Sequence, residues 1–296
     1  MEVRKALLAA SGFSEIGMKQ VRKLRVPILL YHSVSDHTAS RFKKFTVSPG
    51  LFDEHMSYLR DQNYSLLTVS QYRDAIQDGT SELPSRPVLL TFDDGFTDFY
   101  ANALPVLRRH GFAATLYVPT AFIGQTSRWL MREGESERSM LSWVQLIEAC
   151  KNGIECGAHS HTHRQLDTLG VSDAREEVLR SKGILEERLG YSVSSFAYPY
   201  GYCTRGLLNI VRSAGFTSAC AVGFSMSSTG GNCFALPRLL VTGDTSVDSL
   251  SSLLATGGSL TGRTFLRSRT WIWQVVRRSV AHLKRELGGM ENSHEH

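Results

Sequence analysis

Between about residues 26 and 242 the chain alternates two hydrophobic patterns. Short apolar runs occur at 26–31, 88–92, 114–118, 154–158, 195–198, 217–222 and 236–241. Each is too short for a typical helix and is bounded by charge, Pro or Gly, as expected of strands covered on both faces. The stretches between them carry helical spacing. Residues 68–76, 98–109, 141–151 and 207–214 read as helices, the last three stopping ahead of Gly111, Gly153 and Gly215. Asp173 stands three positions before Glu176, which predicts a capping-box start for a helix ending near Leu189, with Gly190 as its left-handed stop. Buried strands alternating with helices predict an α/β fold with a parallel sheet of seven strands.

Two stretches depart from this rhythm. Residues 127–140 are polar and charged and too long for a tight turn; they read as an insertion at the rim of the site or as a solvated loop. From residue 246 the pattern changes. Residues 249–262 are rich in Ser, Gly and Leu and read as a linker with a short helix. Residues 265–287 form a helical pattern with Ile272, Val276, Val280, Leu283 and Leu287 on one face and largely basic positions elsewhere. The expected organisation is a basic N-terminal extension over 1–25, one large domain over 26–245, and a linker with a basic amphipathic helix over 246–296.

Charge changes this picture little. The net +5 is concentrated at the two ends, and the middle is close to neutral. No nucleic-acid-binding motif accompanies it, so no nucleic-acid partner is expected. The C-terminal helix has three readings: packed on the main domain, laid on an anionic membrane surface with help from Trp271 and Trp273, or docked on a partner protein. No apolar run reaches the roughly 18 residues of a membrane-spanning helix. The five cysteines include no C-x-x-C pair, and the brief apolar stretch 6–10 is followed by no cleavage-like site. The expectation is a cytoplasmic protein with reduced thiols, at most peripheral to the inner face of the membrane. Cys203 reads either as a reactive or ligand thiol or as a plain loop cysteine near the site.

The chemistry lies at the strand ends. Asp93 and Asp94 follow the run 88–92, His159 follows 154–158, Tyr200 follows 195–198, and His32 follows 26–31. In parallel α/β sheets the carboxyl ends of strands carry the active site, so these signals converge on one face. Imidazoles at i and i+4, as at His159 and His163, can face one metal ion. A carboxylate from another strand completes a facial set of two His and one Asp with positions left open. Two adjacent aspartates rarely bind one ion together, so one is left as a base.

The runs Thr91-Phe92-Asp93-Asp94-Gly95 and His159-Ser160-His161-Thr162-His163, with Pro199-Tyr200 and the lead-in Gly153-Ile154-Glu155-Cys156-Gly157, resemble the polysaccharide deacetylases. This NodB-homology family is also called carbohydrate esterase family 4. The resemblance covers about residues 26–242 and is nearest to the branch acting on poly-N-acetylglucosamine and related exopolysaccharides. It implies a distorted (β/α)7 barrel, here with helical N- and C-terminal extensions, and an N-acetylated glycan as substrate. By position, Asp93 resembles the catalytic base, while Asp94, His159 and His163 resemble ligands of a divalent cation, commonly Zn2+. His161, between them, resembles either a residue supporting the ligands from behind or a rim residue. The resemblance implies that water activated at the metal attacks the amide carbon, that Asp93 takes its proton, and that the oxyanion meets the metal and the backbone N–H of Tyr200, beside Pro199.

Two features depart from the family pattern. Ala197 stands where an Arg usually orients the base, and Arg238 is the candidate replacement. The acid histidine usually found late in the chain is missing, whereas Leu29-Leu30-Tyr31-His32 fits its pattern at the opposite end, which suggests a permuted order with His32 as general acid. Tyr31, Phe96, Trp129 and Trp143 are candidates for stacking on sugar rings. Two other readings stay open: a deformylase or amidase of a lipid-linked amino sugar or small cyclic amide, and a non-catalytic barrel that binds glycan.

Overall fold

The computed structural model describes residues 24–78, 83–223 and 225–257. The N-terminal extension except for its last two residues, and the helix expected over 265–287 with its membrane and partner readings, lie outside the described residues. No helix among the described residues is long and apolar enough to cross a membrane.

Seven parallel strands close into a barrel: β1 (Ile28–Tyr31), β2 (Pro87–Phe92), β3 (Ala114–Val118), β4 (Ile154–Ala158), β5 (Ser195–Ala197), β6 (Ser218–Val222) and β7 (Leu236–Leu240). Each pairs with the next in chain order, and β7 closes on β1 through Leu239↔Leu29 and Leu240↔Leu30. The expected α/β class and seven-stranded barrel are therefore what the chain forms. A short extra strand, Ser65–Leu67, pairs with the lower part of β2. The ring is uneven: β4 and β5 share only the register Ala158↔Phe196, whereas β3 and β4 pair over five residues.

Helices cover the outside: α1 (Pro49–Asp61), α2 (Val69–Asp78), α3 (Leu104–His110), α4 (Trp143–Lys151), α5 (Val171–Leu189), α6 (Arg205–Ser213) and α7 (Val247–Thr256). One local expectation is corrected. Helix α5 begins at Val171 with Gly170 as an N-cap that makes no side-chain bond, so Asp173 lies in the first turn rather than at a cap. The capping box is found at α4 instead, where Ser142 and Gln145 bond each other's backbone N–H. The short helix expected in this region is found at Val247–Thr256, packed in the barrel's helical layer. Leu250 and Leu254, four apart, bury one face, and Ser251 bonds the Tyr58 hydroxyl of α1 at 2.8 Å.

The period of two along each strand decides which side chains line the barrel. Ile28, Leu89, Tyr117, Ala197, Cys220 and Leu236 pack together inside, while Leu29, Leu90, Leu116, Phe196, Ala219 and Leu239 belong to the core beneath the helices. Gly157 is required there, because a Cβ would collide with the Tyr117 ring. Near the start of the strands the Glu155 carboxylate accepts from the Ser70 N–H and from the hydroxyls of Ser70, Thr115 and Ser195. Following the same parity upward leads from Thr91 to Asp93, from Gly157 to His159, from Leu236 to Arg238 and from Leu30 to His32. The barrel thus aims four of the candidate residues along one axis.

Candidate active site

Asp93 and His159 each sit one residue beyond a strand, yet the ladder still holds them. Asp93 N–H donates to the Tyr31 carbonyl at 3.0 Å, and His159 N–H to the Val118 carbonyl at 3.1 Å. The chain then turns sharply, with Asp94 and Gly95 both left-handed at φ 76° and 74°. Gly95 has no alternative, since a Cβ there would lie 2.6 Å from Val118 Cγ1. This turn lets both neighbouring aspartates serve the site. The histidine loop also carries two left-handed non-glycine residues, Ser160 at φ 61° and His163 at φ 56°. Each such residue costs about 1–3 kcal/mol and persists only where its surroundings enforce it. Ser160 Oγ accepts from the His163 N–H at 3.0 Å, which helps close the loop.

Asp94, His159 and His163 are all buried, and one donor atom from each lies within 4.8 Å of the others. His163 Nε2 is 3.1 Å from Asp94 Oδ1, and His159 Nε2 is 3.7 Å from the same oxygen. His159 Nδ1–H donates to the Ala197 carbonyl at 2.8 Å, leaving the Nε2 lone pair to face the aspartates. One hard oxygen and two imidazole nitrogens, gathered at one point, fit a divalent metal ion such as zinc. Asp94 is held low, at about 2: burial would raise it, but the hydrogen bond and charge of His163, then His32 and His159, outweigh burial. Burial dominates at His159 and brings it down to about 4, which favours the neutral, ligating form.

Asp93 is placed differently. Arg238, 0% exposed, grips it with both arms: Nη1 to Oδ1 at 2.6 Å and Nη2 to Oδ2 at 2.7 Å. The guanidinium also donates to Thr91 Oγ1 and to the Ala221 carbonyl, and it lies over the Tyr117 ring. Burial pushes the Asp93 carboxyl up, but the charge of Arg238, then that of His159, the paired bonds from Arg238 and the charge of His32 hold it below the usual range. Carboxylate oxygens have two acceptor directions each, so the fork orients Asp93 without exhausting it.

His32 lies in the same electrostatic group, its ring against Phe45, with a buried Nδ1 that has no partner among the described residues. Burial lowers its pKa and outweighs the opposite pull of Asp94 and Asp93. Pro199 is buried, and Tyr200 is left-handed at φ 60° with its ring 5.0 Å from that of His163. Tyr200 is 42% exposed and borders the mouth of the site.

The loop 127–140 does lie at the rim. It brings Trp129 to 4.8 Å from the His163 ring, braced by Phe122 and Phe96. Tyr31 and Phe96 are fully buried and cannot stack on a sugar; they serve the core. Trp143 packs against the helix-covered core under the Arg188 guanidinium. His161 turns to Thr120 Oγ1 at 2.8 Å, outside the ligand group. Cys203 packs against the core as a half-buried loop residue.

Sequence reasoning missed two carboxylates that support the site. Asp98 accepts from Ser33 Oγ and the Val34 N–H, just after His32, and pairs with Arg138 of the rim loop at 2.7 Å. Glu177 reaches the histidine loop from α5. A position three residues past the Asp93-Asp94-Gly95 turn was a signal for Asp98; nothing local marked Glu177.

Comparison with known proteins agrees with this geometry. Residues 80–219 match the family model described as polysaccharide deacetylase. YxkH of Bacillus subtilis, provisionally named a polysaccharide deacetylase, is 27% identical over 225 residues, covering 76% of this chain and 74% of its own length. The poly-beta-1,6-N-acetyl-D-glucosamine N-deacetylase of Staphylococcus aureus is 24% identical over 216 residues, 70% of this chain and 71% of that protein. Among solved structures, the Streptococcus pyogenes deacetylase PplD in complex with acetate superposes with a TM-score of 0.68 at 25% identity, over 78% of this chain and 99% of that one.

Proposed function

The chain belongs to the polysaccharide deacetylase family, and we propose from that premise that it removes N-acetyl groups from N-acetylated amino sugars of a bacterial polysaccharide, oligosaccharide or biosynthetic precursor. The observation that carries this reading is the different placement of the neighbouring aspartates. Asp94 joins His159 and His163 in one donor cluster, while Asp93 is held outside it by Arg238. A divalent cation bound by Asp94, His159 and His163, zinc in our reading, would polarise the amide carbonyl and acidify an attacking water.

The protein's own residues do the rest. Asp93, ionised and fixed by the Arg238 fork, accepts the proton of the attacking water. The left-handed backbone at Tyr200 brings the Pro199-Tyr200 turn beside His163, where its N–H serves the developing oxyanion. His32 gives a proton to the departing amine. Trp129 and Tyr200, both against the His163 ring, offer aromatic surface for a sugar ring.

The test is product analysis with defined metals over a panel of N-acetyl and N-formyl amino sugars, poly-N-acetylglucosamine oligomers and small cyclic amides. Acetate release from the N-acetylated glycans is the expected result. Turnover confined to formyl sugars or to non-sugar amides would replace this reading. Within the same assay His32→Ala is expected to lower kcat by about 10²-fold while metal content stays stoichiometric. Unchanged turnover would remove the acid role from His32.

A further inference from the structure

Glu177 takes no part in the chemistry above. It sits in the second turn of α5, 8% exposed, and reaches across to the loop that carries His159 and His163. Its Oε2 accepts from the backbone N–H of His161 at 2.9 Å and of Thr162 at 2.8 Å, and its Oε1 accepts from the Thr162 hydroxyl. No Lys or Arg pairs with it among the described residues. All three contacts therefore go to two consecutive residues, and those residues lie between the two candidate ligands.

We propose that Glu177 is a positioning residue that sets the affinity of the site for its divalent cation, an inference that rests on the metal reading of Asp94, His159 and His163. Ser160 and His163 are left-handed non-glycine residues, a conformation that relaxes unless neighbours enforce it. The loop is gripped from two sides. On one, Thr120 and Ala121 donate backbone N–H groups to the carbonyls of Ser160 and His161. On the other stands Glu177, on a helix anchored to the barrel by Ala174, Val178 and Leu185. Holding residues 161 and 162 fixes the turn between the ligands, and so keeps both imidazoles facing one point. Groups that orient ligands in this way tune metal binding without touching the ion.

A rival role is purely structural, with Glu177 tying α5 to the barrel. Both roles lower the melting temperature on mutation; only the positioning role changes the metal affinity of the folded protein. The experiment titrates Zn2+ into the metal-free full chain against a chromophoric chelator, below the melting temperature of each variant, for wild type, Glu177→Ala, Glu177→Gln and Thr162→Val. Glu177→Ala is expected to weaken zinc binding by about 10- to 100-fold. Glu177→Gln keeps an amide oxygen for the two backbone N–H groups and an N–H for the Thr162 oxygen, so it recovers most of that loss. Thr162→Val, which removes one contact of the three, gives a smaller loss. Zinc affinity within about twofold of wild type in folded Glu177→Ala, with only the melting temperature lowered, overturns the proposal. If Glu177→Ala does not fold, wild-type affinity in Thr162→Val overturns it. A wild-type protein that takes up no zinc removes the metal reading itself, and the clamp with it. A wild type that binds zinc no more tightly than Glu177→Ala removes only the clamp.

Discussion

Asp93→Asn is expected to lower kcat by about 10²–10⁴-fold while the protein still takes up its cation. The geometry separates the two effects. Asp93 lies outside the donor cluster of Asp94, His159 and His163, so its loss removes no ligand. What is lost is a carboxylate able to accept a proton: the amide that replaces it is not basic. The substitution also has a structural cost. Asn offers one acceptor oxygen to the Arg238 fork, and its NH2 group opposes the second arm, leaving part of a buried guanidinium uncompensated. Breaking a buried pair by changing one partner costs about 3–5 kcal/mol, so the assay belongs well below the melting temperature. Asp94→Ala is the contrast. It removes a ligand and is expected to abolish zinc retention together with turnover. Rate loss in Asp93→Asn tracking loss of metal would show that the two aspartates share one task, and the division argued above would fall.

Much of the placement of these residues could be read in the chain before its fold was known. Seven apolar runs and the polar residues just after them were enough to expect a parallel α/β sheet with one functional end, because strands buried on both faces leave few other places for charge; the barrel itself came from the family resemblance. Asp93, Asp94, His159 and His163 were legible because their type and spacing are chemically unusual. Arg238 was harder. A lone Arg in an apolar strand points inward or outward with equal plausibility, and only closure of the barrel by β7 on β1 decides that 236 and 238 face the axis. His32 depended on another pairing, which places the first strand beside β2 and its Asp93 turn.

Other features were hidden for physical reasons. Helix α5 was given a cap three residues late because its true first residue, Val171, is 71% exposed and belongs to no apolar stripe. Tyr31 and Phe96 read as candidate sugar platforms, since an aromatic beside a catalytic motif looks the same whether its ring faces solvent or core. Glu177 stands beside Glu176 in a polar stretch, and nothing in spacing distinguishes the residue that folds onto the histidine loop from the solvated one. Such positions are set by tertiary contact, not by local pattern.

Arg238→Met and Arg238→Lys together test how the base is held. Arg238→Met removes the cation from a fully buried pair and leaves the Asp93 carboxylate without its fork. The expected result is a loss of about 3–5 kcal/mol in unfolding free energy, read from the urea midpoint of the metal-free protein, together with a large fall in kcat. Taken alone, that fall has two explanations: a loosened fold or a misdirected base. Arg238→Lys separates them. A lysine ammonium restores positive charge in the barrel axis but makes single-point contacts, so it cannot impose the orientation that two parallel N–H bonds give. Arg238→Lys is therefore expected to recover much of the stability yet only a small part of the kcat, with KM little changed because Arg238 touches Asp93, Thr91 and Ala221 rather than the rim. Recovery of stability and kcat in equal measure would show that charge alone suffices, and that the fork does not orient Asp93.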